Sequence, residues 1–124
     1  MNASDIIKQD LMRGGFTDDE RKFFDGLASL IQSKQATLIR HGNTVALIFR
    51  RGDDVAEFHF YTVDKLPEIE TAIRVFYSKM RETGIKKLVS TTDNPKLLQI
   101  AKKLEIPVTA NKVGNEYHIE VSVR

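Results

Sequence analysis

The chain has no cysteine among its 124 residues, so neither a disulfide framework nor a thiolate metal site is available to it. It also lacks an unbroken apolar run of the roughly 18 residues that a membrane-spanning helix needs. The opening Met1-Asn2-Ala3-Ser4-Asp5 has no basic patch leading into an apolar core, so no secretory signal is expected. There is no Walker loop and no Gly-x-Gly-x-x-Gly to cradle a nucleotide. No Gly-x-Ser-x-Gly elbow presents a nucleophilic serine. The three histidines, His41, His59 and His118, have no second ligand at metal spacing, so no metal is expected.

What remains has the composition of an ordinary soluble protein, 41% hydrophobic and 29% charged. A chain of this length buries roughly two-thirds of its unfolded surface, enough for one core, so residues 1–124 are read as a single domain. The net charge is +2. Residues 1–35 carry five basic and six acidic groups, residues 36–64 three and four, and residues 65–124 eleven and seven. The positive excess therefore lies in the C-terminal half, which could face an anionic partner. A solvated surface of mixed charge is the plainer reading.

Two helices open the chain. Ser4 is a candidate cap for a short one carrying Ile7 and Leu11, and Gly14-Gly15 would end it. Thr17-Asp18-Asp19-Glu20 reads as a capping box, and Phe23, Phe24, Leu27, Leu30 and Ile31 follow at helical spacing. That stripe looks wider than a small sheet can cover, which suggests a partner or a second copy. Strands are expected over Ala36 to Arg40, Thr44 to Arg50 and Val55 to Val63, separated by turns at His41-Gly42-Asn43 and Arg50 to Asp54. Val45 to Phe49 is apolar on both faces and should lie inside the sheet, covered on both sides. A helix is predicted from about Lys65 to Thr83, with Asp64 as cap and Pro67 in the first turn. A strand follows over Ile85 to Thr91. The next helix is capped by Asp93 or Asn94, with Pro95 near its start. A hairpin of Ile106 to Lys112 and Tyr117 to Val123 closes the chain.

The run Asp93-Asn94-Pro95-Lys96-Leu97-Leu98-Gln99-Ile100-Ala101-Lys102-Lys103-Leu104-Glu105-Ile106 resembles the strand-to-helix signature of the GNAT acetyltransferases. That signature is an Asn, six residues, then Tyr-Glu-Lys-Leu-Gly-Phe. Asn94 and Leu104 match it. Ala101 falls where the family has its catalytic Tyr, Glu105 replaces the Gly and Ile106 the Phe. The element order also resembles that of the family, which implies an α/β (α+β) GNAT-like fold. Its central sheet would be mixed but mostly antiparallel and flanked by helices, in the order α-α-β-β-β-α-β-α-β-β. In architecture and size the chain further resembles the small acetyltransferase-like internal virion proteins of T7-related podophages. That implies a phage particle, or the bacterial cytoplasm in which one is assembled.

The resemblance implies a pyrophosphate-gripping loop, Gln/Arg-x-x-Gly-x-Gly/Ala, between the family's fourth strand and the following helix. Such a loop works by aiming bare helix amides at phosphate oxygens. The corresponding Val63-Asp64-Lys65-Leu66-Pro67-Glu68-Ile69-Glu70 has no glycine. Pro67 removes an amide donor, and Asp64, Glu68 and Glu70 would put three carboxylates around the helix start. One like-charge contact at about 4 Å and an effective dielectric near 20 costs roughly 4 kcal/mol before discounting for exposure. Only Lys65 favours a phosphate. With Ala101 in the Tyr position the acid for a departing thiolate is missing too. Glu57 or His59 could supply a base, although a paired strand carboxylate and a packed histidine explain them as well.

No catalytic, cofactor-binding or metal-ligating residue is therefore assigned, and no cofactor is expected. The reading is a non-catalytic structural or interaction protein on an acetyltransferase scaffold, with a protein partner or self-association. An atypical acetyl-CoA-dependent N-acetyltransferase is the alternative. A small nucleic-acid-binding module is the third, resting on the basic pairs Arg50-Arg51, Lys86-Lys87 and Lys102-Lys103. The last of these pairs would equally serve the end of its own helix.

Overall fold

The computed structural model describes residues 1–13, 20–92 and 95–124. Helices α1 (Ala3–Arg13) and α2 (Glu20–Gln32) precede strands β1 (Ala36–His41), β2 (Thr44–Arg50) and β3 (Val55–Thr62). Helix α3 (Leu66–Arg81), strand β4 (Lys87–Thr92), helix α4 (Lys96–Lys103) and the hairpin β5 (Val108–Val113) and β6 (Glu116–Ser122) complete the chain. The element order is the expected one. The strands form one sheet in the order β1-β2-β3-β4-β6-β5. Every neighbouring pair is antiparallel except β3 and β4, which run parallel.

The two-sided apolarity of β2 has the consequence it predicts. Val45 and Leu47 face a cluster with Ile6, Ile7 and Leu27 from α1 and α2. Ala46 and Ile48 face the opposite cluster, which contains Ala56, Phe58, Phe76, Met80, Leu88, Ile119 and Val121. Side chains alternate across a strand, so a continuous apolar run must be covered twice. The stripe on α2 is used inside the molecule: Phe23, Phe24 and Ile31 pack on the first cluster beside Leu27. Leu30, the fifth residue of the stripe, belongs to neither cluster, and only Leu27 of the five is buried.

Three caps differ from expectation. α1 is capped by Asn2 instead of Ser4, because the Asn2 Oδ1 accepts the Asp5 amide at 2.8 Å and the Asp5 carboxylate accepts the Asn2 amide at 3.4 Å. This is a reciprocal box set two residues before the expected cap. α3 is preceded by Lys65, which makes no side-chain cap; the Asp64 carboxylate is engaged elsewhere, as described below. α4 ends in backbone bonds and not in lysine-to-carbonyl contacts. The Ile106 amide reaches the Ala101 carbonyl at 3.0 Å and the Glu105 amide reaches Lys102 at 3.1 Å, a Schellman closure. The expected Gly14-Gly15 stop, the capping box at 17–20 and the caps Asp93 and Asn94 rest on residues outside the described set.

Glu105 sits at φ +60°, in the left-handed region that costs an L-residue roughly 1–2 kcal/mol. This is the position where the family signature carries Gly. Glu105→Gly is expected to stabilise the fold by about 1 kcal/mol, read as a rise in the urea midpoint at constant slope.

Candidate ligand-binding cleft between β3 and β4

The parallel ladder between β3 and β4 covers only Val55↔Lys87, Ala56↔Leu88 and Glu57↔Val89. Beyond Glu57 the strands part, while each keeps its full pairing on its other side. The Val63 amide donates to Asn43, and Arg51 donates to the Val55 carbonyl. The odd-numbered residues of β3 therefore point their backbone groups at β2, and the even-numbered ones point into the cleft. On β4 the Val123 amide donates to the Lys86 carbonyl. By the same alternation Thr91 turns its N–H and C=O toward β3.

Three side chains deal with the backbone groups stranded on the β3 wall. The Ser90 hydroxyl donates to the Phe58 carbonyl at 2.7 Å, occupying the acceptor that the next rung of the ladder would use. Asp10 Oδ2 accepts the Thr62 amide at 2.6 Å, and Arg13 Nη2 donates to the Thr62 carbonyl. Asp10 and Arg13, three residues apart on one face of α1, thus hold both polar ends of one β3 residue. Phe60 lies between these positions. Its cleft-side N–H and C=O receive no side chain and have no ladder partner among the described residues. Ser90 is buried, so Ser90→Ala leaves the Phe58 carbonyl without its donor. A loss of about 1–3 kcal/mol in denaturant unfolding is expected.

A cavity lies beside the cleft on each face of the sheet, the polar one over β4, β6 and β5 and the apolar one within the core. On the face shared with α1 there is a polar cavity of about 320 Å³ lined by Glu57, Thr91, Asn111, His118 and Glu120 among others. On the face under α3 and α4 there is an apolar one of about 50 Å³, lined by Phe58, Phe60, Phe76, Leu88, Leu97 and Ala101 among others. Phe60 stacks on Phe76 with ring centroids 5.7 Å apart. Ala101 is 7% exposed, so the position that carries Tyr in the family signature contributes only a methyl group to the apolar side.

The three carboxylates expected to crowd the start of α3 are arranged differently from the sequence reading. Only Val63, Asp64 and Lys65 link β3 to α3. Asp64 does not crowd the helix start. Its Oδ2 accepts the Asn43 amide and the Thr44 hydroxyl, each at 2.9 Å, and Thr44 Oγ1 lies 2.7 Å from Thr62 Oγ1. Gly42 turns at φ +60°, where a Cβ would stand 3.2 Å from the same carboxylate oxygen. Glu70 is drawn away as well, to Lys103 at 2.7 Å. Of the three carboxylates only Glu68 stays in the first turn, next to Pro67.

Glu57 and His59 come together. Glu57 Oε2 is 2.7 Å from His59 Nε2, and Oε1 is 2.6 Å from Arg51. These two hydrogen bonds, His59 first, hold the Glu57 carboxyl below its ordinary value near 4.5. The stabilisation they bring is present above that value and is lost as the pH falls through the lower folded one. His59 also meets the Phe49 ring edge-on at 5.8 Å. Each basic pair has a member in an ion pair: Arg51 with Glu57, Lys87 with Glu120 at 2.8 Å and Lys103 with Glu70; Arg50 is also engaged, donating to the carbonyls of Asp53 and Thr83. Among the described residues no three His, Asp or Glu side chains are grouped to hold a metal ion. No helix there is long and apolar enough to cross a membrane. Asp10, Arg13 and Ser90 had no signal in the sequence, because the first two act on a residue about fifty positions away.

No protein-family model matches the chain, and no curated protein matches its sequence. Solved structures do match its fold. An aminoglycoside 6'-acetyltransferase type Ii superposes with a TM-score of 0.70 at 8% identity, over 98% of this chain and 88% of that one. The Campylobacter jejuni N-acetyltransferase PseH, in complex with acetyl coenzyme A, gives 0.63 at 13%, over 100% and 94%. YncA of Salmonella typhimurium, a putative acetyltransferase with its cofactor acetyl-CoA, gives 0.64 at 12%, over 100% and 91%. The chain spans 58% of the AHL synthase LasI, with a TM-score of 0.52 at 10% identity. At these identities the likeness is one of architecture: the chain has the GNAT acetyltransferase fold.

Proposed function

We propose that residues 1–124 act as one non-catalytic domain on an acetyltransferase fold, and that the domain works by binding a protein partner. The observation that carries this reading is the join between β3 and α3. Three residues stand there in place of a glycine-rich loop, Pro67 occupies the second helical position, and Glu68 lies in the first turn. A pyrophosphate needs amide donors and close backbone approach at that point. The connector is held down by Asp64 on Asn43 and Thr44, so it is not free to rearrange around a ligand. Ala101 removes the side chain that would protonate a leaving thiolate. Architecture and size suggest a phage particle or its assembly as the setting; detection of the chain in purified particles by mass spectrometry tests that part separately.

Titration of acetyl-CoA into the protein is expected to give no binding heat at micromolar to millimolar ligand. A micromolar dissociation constant overturns the reading. The second reading, an atypical acetyltransferase, is favoured by the parted strands with the Glu57–His59 pair on the adjacent β3 wall. Labelled acetyl-CoA with a panel of amines and peptides discriminates: turnover supports the second reading, and its absence across the panel supports the first.

A further inference from the structure

We propose that the β3–β4 cleft receives an extended peptide segment of a partner protein as an inserted strand. The inference rests on the partner-binding reading above and names the partner's chemistry. Among the described residues each wall presents one unmatched peptide group, that of Phe60 on β3 and that of Thr91 on β4, by the alternation that the flanking ladders impose. A free N–H beside a free C=O on both walls is matched by another backbone, which supplies donor and acceptor in alternation along both of its edges. The slot has built ends. Ser90 closes it on the Phe58 carbonyl, and Asp10 with Arg13 closes it on Thr62. An inserted segment is thereby limited to a few residues between these two plugs.

The two cavities specify the side chains. A strand in the cleft sends alternate residues to opposite faces. One set meets the polar space beside Glu57, Thr91 and His118, of about 320 Å³. The other meets the apolar space beside Phe58, Phe60 and Leu88, of about 50 Å³. The matching segment alternates polar residues with small apolar ones. Coenzyme A also carries amides on an extended arm, but its phosphates would have to rest on Pro67 and Glu68, which is why a peptide is the better occupant.

A displayed library of random twelve-residue peptides, selected on the full chain, supplies the probe. The synthetic winner is titrated into isotopically labelled protein with amide hydrogen exchange as the readout. In the free protein the Phe60 and Thr91 amides exchange faster than those of Phe58 and Val89. The bound peptide, alternating polar and small apolar residues, slows both. Thr91→Pro deletes a donor that the β4–β6 ladder does not use, so the variant keeps its fold and binds about tenfold more weakly. Thr91→Ala, which keeps the donor, binds as the parent does. Protection of the β1 or β5 edge in place of the cleft, or failure to enrich any peptide that slows Phe60 and Thr91, overturns the proposal and leaves the partner-binding reading standing. Protection of the same two amides by coenzyme A overturns both.

Discussion

Phe58→Ala is expected to remove about 3–5 kcal/mol of folding stability, a large part of the roughly 5–15 kcal/mol that a domain possesses. Phe58 is 4% exposed. Its ring sits 5.2 Å from that of Phe60, which in turn stacks on Phe76. The side chain lies one residue past the last rung of the β3–β4 ladder, Glu57↔Val89, where fewer ladder bonds are available to hold the strands against relaxation. Removing the ring joins its volume to the apolar space already present beneath α3 and α4. Neighbours that already border empty space cannot close a larger one, so the cost should fall in the upper part of the range. Urea unfolding should show a lower midpoint with an unchanged slope. A loss under 1 kcal/mol would mean that the aromatic cluster is not packed as described.

The second large effect is polar. Asp64→Ala is expected to cost about 2–4 kcal/mol, because one carboxylate oxygen accepts both the Asn43 amide and the hydroxyl of Thr44. Thr44 is only 1% exposed, so water cannot easily replace the lost acceptor, and hydrogen bonds to a charged partner are worth more than neutral ones. Asp64→Asn keeps an acceptor of the same shape and should lose roughly half as much. The measurement also bears on function. If Asp64 fixes the three-residue connector, both variants should loosen the Val63 and Lys65 amides to hydrogen exchange. Equal stability of Asp64→Ala and the parent would show that the connector is not tethered in this way. Pro67 and Glu68 alone would then stand against a phosphate at the start of α3.

The elements were largely legible in the sequence because they depend on local pattern. Alternation in Tyr117 to Val123, the two-sided apolar run of β2 and Gly42, Gly84 and Gly114, all of which adopt positive φ, fixed strands and turns to within one or two residues. The caps were less legible. Asn2 and Ser4 are both good cap residues and both precede an apolar helix; which one serves depends on where the helix begins on the sheet. Asp64 misled for a related reason. A carboxylate just before a helix is an ordinary cap, but here the β1–β2 turn supplies two better donors from about twenty residues upstream.

The candidate site was legible only as an absence. No glycine between Val63 and Glu70 and Ala101 in the Tyr position could both be read without a structure, because each concerns a residue type at one position. The cleft itself could not be read. It exists because β3 and β4 pair for three residues and then diverge, a property of how two distant strands twist past each other. Its closure by Ser90, Asp10 and Arg13 joins residues from three elements with no shared periodicity. The sequence by itself determined the order of helices and strands, the inner position of β2 and the want of glycine between Val63 and Glu70, since hydrophobic period and residue chemistry are local. Tertiary structure alone decided which backbone groups face an empty cleft and which side chains cover their neighbours, because pairing across a sheet is a contact between residues far apart in the chain.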